Sequence, residues 1–431
     1  MDDYLASPMV QTPWGNSSEL RDRKLRPGAG TLRAEVVRNQ SERLFAAMVA
    51  VVSEKGYKAT TVADLVALSG VSRSDFYRHF ASKQGCFVAM VEALVEPMME
   101  TITQARGRAD ERRVREVFEA FIGMAVEQSA TARVCIVELH AAGEEAERVI
   151  DRVFDAFAEL VEEASRRIGG REDMPPEIVR AVIGGLRKVL HTRLYRGEER
   201  ELAKLAPELW QWGLSYYPPP QPLQSRRRAG EASSQFEGYT QAERIARAVT
   251  AVTAEKGYRA MSTDDIAERA SISLSTFYAH FADKRDAVLA ALEMGGAQML
   301  ASVVPAAQRA ADWREGVRIA FEAMCSYLVA EPAYARLAAI DAYAVGPEGL
   351  ARRDRVIDSM SSMLAPAYAE NPTVPKIASE AIGGAVFALL RDRILTSGPQ
   401  RLPEDIPLAI YITLAPFVGP EEACAVANRR P

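Results

Sequence analysis

Apolar residues in the stretch 41–56 recur at spacings of four and three, at Leu44, Met48 and Val51. That is one face of a helix. The same stripe returns at Ile245, Val249 and Val252, displaced by 245 − 44 = 201 positions. Sliding 41–90 onto 242–291 without a gap matches 20 of 50 positions, so the chain reads as two similar halves. In each half the pattern predicts a first helix, over about 35–55 and 240–256, stopped by Lys55-Gly56-Tyr57 and Lys256-Gly257-Tyr258 with glycine at the C-terminal cap. A short helix follows, capped by Thr61 or Ser262. A turn comes next, Ser69-Gly70-Val71 or Ala270-Ser271-Ile272. Gly70 takes a positive φ at little cost; Ser271 in its place is expected to be mildly strained. Ser72 and Ser273 then cap a second short helix, whose Phe76 and Phe80, or Phe277 and Phe281, lie four apart on its inner face. Longer helices over about 82–105 and 283–303 start at Ser82 and Asp283, both good caps.

What remains of each half is helical in pattern, punctuated by Gly and Pro, with no strand alternation. The expected fold is all-α, in two tandem units of a three-helix head and a helical body. The boundaries are a disordered, partly basic arm over 1–34, a head over 35–90, a body over 91–217, a Pro/Arg-rich linker over 218–239, a second head over 240–291 and a second body over 292–431. The clusters Arg21 to Arg26 and Arg226 to Arg228 precede the two heads at matching offsets. They read as solvated charge or as basic arms beside the heads.

Composition narrows the function classes. Charged residues are 26% and hydrophobic ones 48%, ordinary for a core-forming protein. The pattern holds no apolar run of about 18 residues, so no membrane span is expected, and the polar N-terminus does not read as a signal peptide. Cys86, Cys135, Cys325 and Cys424 are far apart and read as small buried hydrophobes in a reducing cytoplasm. Four histidines and these cysteines are too scattered for a metal site. No nucleophile elbow, phosphate loop or paired-carboxylate motif is present, which argues against an enzyme and calls for no cofactor. Net charge is −5 overall, but 38–88 carries seven bases against four acids, 7 − 4 = +3. Over 241–287 the sum is zero, so the first head looks the stronger binder of a polyanion.

The two short helices with their turn read as a helix-turn-helix. E-K-G-Y-K-A-T-T, G-V-S and F-Y-R-H-F-A-S-K run from Glu54 to Lys83, and E-K-G-Y-R-A, S-I-S and F-Y-A-H-F-A-D-K from Glu255 to Lys284. These strings resemble the tetracycline-repressor (TetR) family of bacterial transcription regulators over about 38–90 and 241–291. The resemblance implies that Thr61, Tyr77, His79 and Lys83 contact DNA phosphates, as do Ser262, Tyr278, His280 and Lys284. It places Arg73, Ser74, Asp75 and Arg78 toward bases, with Ser72 beside them. In the second head the base-facing positions are Leu274, Ser275, Thr276 and Ala279, with Ser273 beside them. The departures are Ser271 at the turn glycine and the bulky Phe76 and Phe277.

The resemblance further implies an operator on double-stranded DNA, a small-molecule effector and a four-helix dimer seam. The small-residue repeats Ala181-Val182-Ile183-Gly184-Gly185 and Ala381-Ile382-Gly383-Gly384 suit such a seam, built from 176–196 with 200–216 and from 376–396 with 404–418. One chain then supplies both sides, as an intramolecular pseudo-dimer expected to act as a repressor. The alternative is a homodimer of chains that uses the first heads while the second is a scaffold. Phe121, Met124, His140 and Phe157, with Met324, Tyr327 and Tyr343, are the pocket candidates, although aromatic and Met residues at helical spacing are more often plain core.

Overall fold

The computed structural model describes residues 9–25, 32–107, 109–226 and 240–429. They are helical almost throughout, in two compact units: Met1–Ala164 with Leu190–Ala206, and Ser165–Val189 with Pro207–Pro431. The first half supplies α1 (Arg33–Ala59), α2 (Val62–Ser69), α3 (Arg73–His79), α4 (Lys83–Arg106), α5 (Glu111–Glu127), α6 (Ser129–Ile136), α7 (Leu139–Ala142), α8 (Glu144–Ser165), α9 (Pro176–Arg196) and α10 (Glu199–Gly213). The second supplies α11 (Gln241–Ala260), α12 (Thr263–Ala270), α13 (Leu274–His280), α14 (Lys284–Gln308), α15 (Trp313–Ala330), α16 (Pro332–Arg336), α17 (Ala342–Val345), α18 (Pro347–Ser361), α19 (Ala365–Glu370), α20 (Ala378–Ser397) and α21 (Ile406–Ala427). A π-helical turn, Leu337–Asp341, joins α16 to α17.

In the first unit, Leu44, Met48 and Phe76 are fully buried and Val51 nearly so. The expected disorder of 1–34 is corrected for residues 9–25; 1–8 and 26–31 lie outside the described residues. A hairpin of Gln11–Thr12 with Gly15–Asn16 leads into a 3-10 turn at Ser17–Glu19. Leu20 is fully buried against Ala46 and Ala47, and the Trp14 ring lies 5.1 Å from that of Phe45. Burial of these two large side chains outweighs the ordering of a short polar segment, whose composition alone suggests a loose tail.

The basic cluster is spent internally too. Arg21 Nε donates to the Ala67 carbonyl at 3.0 Å, at the end of α2, and the Arg23 guanidinium donates to the carbonyl of Trp14. In the second unit Arg226 pairs with Glu322 and donates to the Arg429 carbonyl at 3.3 Å; Arg227 and Arg228 lie outside the described residues.

The second unit has a core that runs from Ile245, Val249 and Phe277 in its head to Leu337, Val345 and Leu350 in its body. The expectation that no helix is apolar enough to span a membrane needs correcting: α14 meets that test by length and composition. Half of its apolar window is buried, packed on α11, α15 and α18.

The same unit holds a close helix–helix seam. A Cβ built on Gly184 would lie 2.3 Å from Ala388 Cβ, and one on Gly185 2.4 Å from the Ala381 carbonyl oxygen. Gly384 approaches from the other side, where a Cβ would lie 3.1 Å from Gly185 Cα. Residues 176–189 of α9 therefore meet α20 almost backbone to backbone, which only small residues permit. Tyr216 donates to the Ile412 carbonyl at 2.9 Å and Tyr411 to that of Tyr217 at 2.6 Å. These bonds close the seam at its α21 side.

Candidate nucleic-acid interface

Each head is held by reciprocal caps. Thr61 Oγ1 accepts from the Asp64 N–H at 3.3 Å and donates to the Asp64 carboxylate at 2.7 Å; Ser262 and Asp265 repeat the amide contact at 3.2 Å. Burial works to raise the Asp64 pKa, but hydrogen bonds from Lys55, at 2.6 Å, and Thr61 outweigh it and bring it down to about 2. At the turn, Gly70 (φ 65°, ψ 19°) and Ser271 (φ 54°, ψ 50°) are both left-handed. Ser271 is the one non-glycine residue with positive φ among the described residues, so the strain expected of it is present.

On α3 and α13, Phe76 and Phe277 are fully buried while Tyr77, Tyr278 and Leu274 are 48%, 54% and 39% exposed. Arg73, Ser74, Arg78, Ser275 and Ala279 are exposed as well. Several sequence-chosen residues already have internal partners. Ser72 caps α3 through the Asp75 N–H at 3.1 Å and donates to its carboxylate, which also pairs with Arg78 at 2.8 Å. Ser273 caps α13 through the Thr276 N–H and shares hydroxyl contacts with Ser275 and Thr276. His79 Nε2 meets Gln40 Oε1 at 2.7 Å, and His280 meets Gln241 at 3.3 Å. Burial, more than nearby charge, lowers the His79 pKa.

The lysines have internal work too. Lys83 Nζ donates to the carbonyls of Tyr57 and Thr60, both at 2.7 Å, and lies 4.1 Å from the Tyr57 ring. Lys284 donates to those of Tyr258, Arg259 and Met261. The charge estimate for the first head also changes: Arg43 is 1% exposed and Lys55 is paired with Asp64, so neither offers an open charge to a polyanion.

Sequence reasoning missed the residues that tie head to body. Gly56 (φ 77°) and Gly257 (φ 75°) break the first helix of each head. At each break a body carboxylate takes the next amide: Tyr57 N–H donates to Glu138 at 2.9 Å, and Tyr258 N–H to Asp341 at 3.2 Å. The available signal was an acid opening the two matched segments Glu138 to Gly143 and Asp341 to Gly346.

Two cavities lie in the bodies. That of the second, about 140 Å³, is lined by Met324 together with Phe321 and Met360. That of the first, about 60 Å³, is lined by Phe121 and Met124. Four expectations are corrected. His140 lies outside the cavity, buried with Nδ1 3.1 Å from Glu147. Phe157 on α8 is outside it too, where Val153 and Phe154 take the lining positions. Tyr327 turns away from the larger cavity, its hydroxyl donating to the Gly295 carbonyl at 3.0 Å. Tyr343 stands just behind that wall, against Arg353 and Arg391. All four cysteines are buried and free, and burial pushes Cys86, Cys135 and Cys325 up to about 12. Among the described residues no cluster could hold a metal ion.

Comparison with known proteins agrees with this geometry. The family model described as bacterial regulatory proteins, tetR family, matches residues 44–90 and 245–291. The chain is 30% identical over 133 residues to nucleoid occlusion factor SlmA of Vibrio cholerae, covering 30% of this chain and 66% of that protein. It is 32% identical over 110 residues to the HTH-type transcriptional activator FasR of Mycolicibacterium smegmatis, covering 25% of this chain and 50% of that one. The chain thus spans no more than about two thirds of either relative's length. Among solved structures, the fatty acid degradation regulator FadR of Bacillus halodurans aligns at 18% identity and a TM-score of 0.37, over 41% of this chain and 94% of that one.

Proposed function

Because this chain belongs to the TetR family of bacterial regulatory proteins in both of its halves, we propose that it is a sequence-specific DNA-binding transcription regulator acting as an intramolecular pseudo-dimer. The observation that carries this reading is the glycine seam in the second unit, where the last helices of the first half pack on those of the second. One polypeptide then brings two heads to one operator, on half-sites about one helical turn (34–36 Å) apart. The heads differ where they face bases. Arg73 favours guanine and Asp75, once released from Arg78, accepts from cytosine N4. Leu274 and Ala279 offer only apolar contact, as to a thymine methyl. The preferred operator is therefore asymmetric.

Regulation follows from the bodies. A ligand in the larger cavity that favours one conformation lowers DNA affinity by its differential affinity for the two states, which is repression relieved by an effector. A regulator of this kind works in the cytoplasm. DNA-site selection with the intact chain tests the reading, combined with measurement of complex mass. An asymmetric site bound by one chain is expected; perfect inverted repeats bound by two chains overturn it. That second outcome belongs to the rival reading, in which the second head is a scaffold. Strained Ser271 and the pairing of Arg269 with Glu255 speak for the rival.

A further inference from the structure

The larger cavity is apolar but not uncharged. Met299, Phe321, Met324, Met360 and Phe387 are among its lining residues, and Arg353 and Arg391 line it too. At about 140 Å³ it is close to the roughly 150 Å³ apolar cavity that holds benzene, so the apolar part of its occupant is compact. The arginines show what the occupant carries besides. Arg353 stacks between Tyr343 and Phe387, its Cζ 4.9 and 4.3 Å from their ring centres, with a side chain only 9% exposed. Its Nε and Nη2 bond Asp354 at 2.9 and 2.7 Å and the guanidinium also interacts with the Tyr343 side chain, while no well-aligned hydrogen bond satisfies its buried Nη1. Arg391 Cζ lies 4.8 Å from the centre of the same Tyr343 ring, and its Nε is buried without a hydrogen-bond partner.

Lys188 shares Asp354 and Asp358, at 3.7 and 3.3 Å. Asp354 thus serves both Arg353 and Lys188, and Arg391 adds a further cation against the same tyrosine ring. Buried guanidinium N–H groups left without acceptors are costly, and an apolar wall cannot supply the missing acceptor. We propose that this cavity takes a compact apolar carboxylate, its tail among the Met and Phe side chains and its oxygens on Arg391 and Arg353. A carboxylate offers charged acceptors to both arginines; an alcohol offers only a neutral oxygen, and an ammonium offers no acceptor and is repelled. The inference deepens the effector reading above and rests on it for its regulatory consequence.

The test is isothermal titration of the intact chain with three isosteric probes: 3-phenylpropionate, 3-phenylpropan-1-ol and 3-phenylpropylamine. The carboxylate is expected to bind about tenfold or more tighter than the alcohol, as charge-assisted hydrogen bonds require, and the amine not at all. Arg391→Gln, which breaks no hydrogen bond of the fold, should erase the carboxylate's advantage and leave alcohol binding unchanged. Equal binding of alcohol and acid, absence of all binding, or an advantage that survives Arg391→Gln each overturns the proposal. Repeating the titration on the operator complex separates the two readings. A carboxylate that binds through Arg391 without changing DNA affinity upholds the anion site and removes the effector role.

Discussion

Gly185→Ala puts one methyl group where the seam is tightest. The new Cβ would lie 2.4 Å from the Ala381 carbonyl oxygen and 2.6 Å from Trp212 Cη2, whereas ordinary contact begins at 3.4 Å. One obstacle is backbone and the other a fully buried ring, so no rotamer change relieves the clash and the helices must part by about 1 Å, at an overpacking cost of about 1–3 kcal/mol. Helix propensity works in the opposite sense and recovers about 1 kcal/mol. The net expectation is a loss of up to about 2 kcal/mol, read as a lower urea midpoint of the transition reported by tryptophan fluorescence at unchanged slope. Gly123→Ala is the matched control: it lies inside α5 with nothing within 4 Å of its added Cβ. It gains propensity at no steric cost, so its midpoint should rise, by about 0.5–1 kcal/mol in stability. Should Gly185→Ala unfold at or above the wild-type midpoint while Gly123→Ala behaves as stated, the backbone-to-backbone seam is refuted.

Three further outcomes follow from the heads. Leu20→Ala empties a fully buried site against Ala46 and Ala47, so the first head should lose about 2–5 kcal/mol in denaturant titration; deleting residues 9–25 should destabilise it comparably. Asp64, held at about 2 against an ordinary 3.8, has a depressed folded pKa, so its contribution of about 2 kcal/mol is present above pH 4 and lost as pH falls toward 2; the deficit of Asp64→Asn should shrink across that window in pH-dependent melts. Burial raises the pKa of Asp341, so the folded state favours its protonated form and the carboxylate weakens the fold as pH rises through that value. Asp341→Asn keeps an acceptor for the Tyr258 amide and should match or exceed wild type at pH 8, whereas Asp341→Ala orphans that amide and should cost about 1–3 kcal/mol.

The helix order, the glycine breaks and the caps were legible because each rests on local rules. A stripe at spacings of four and three, a Ser, Thr or Asp before a helix and a Gly after it need no tertiary context. The segment 9–25 was not legible for the opposite reason. Two apolar anchors, Trp14 and Leu20, decide its fate by what they pack against, and their polar neighbours hide them in any average over composition. The apolar character of α14 escaped notice because charges at Lys284, Arg285, Asp286 and Glu293 break it into runs shorter than 18 residues. The cavity residues were half legible. Aromatic and Met side chains mark the interior, but only packing sorts Met324 onto the wall and Tyr327 behind it.

The comparison of the two heads with each other adds what neither gives alone. Positions identical between them are largely those whose side chains have internal work: Ser72 and Ser273 cap, Phe76 and Phe277 fill the core, His79 and His280 hold Gln40 and Gln241, Lys83 and Lys284 close the break in the first helix. Gln40 and Gln241 are themselves the same residue at the same offset, 241 − 40 = 201. Arg73 against Leu274, Asp75 against Thr276 and Arg78 against Ala279 differ; none of them fills the core, although Asp75 and Thr276 each bond the serine that caps their helix. Duplication has therefore left the scaffold of the heads in place while the outward face diverged, as expected if the scaffold is constrained by folding and each face by a different half-site. The matched His and Lys residues also acquire a second meaning. They orient the reading helix from behind, so replacing either lysine by methionine should weaken binding to all DNA sequences alike, whereas exchanging Arg73 for leucine should change which sequence is preferred.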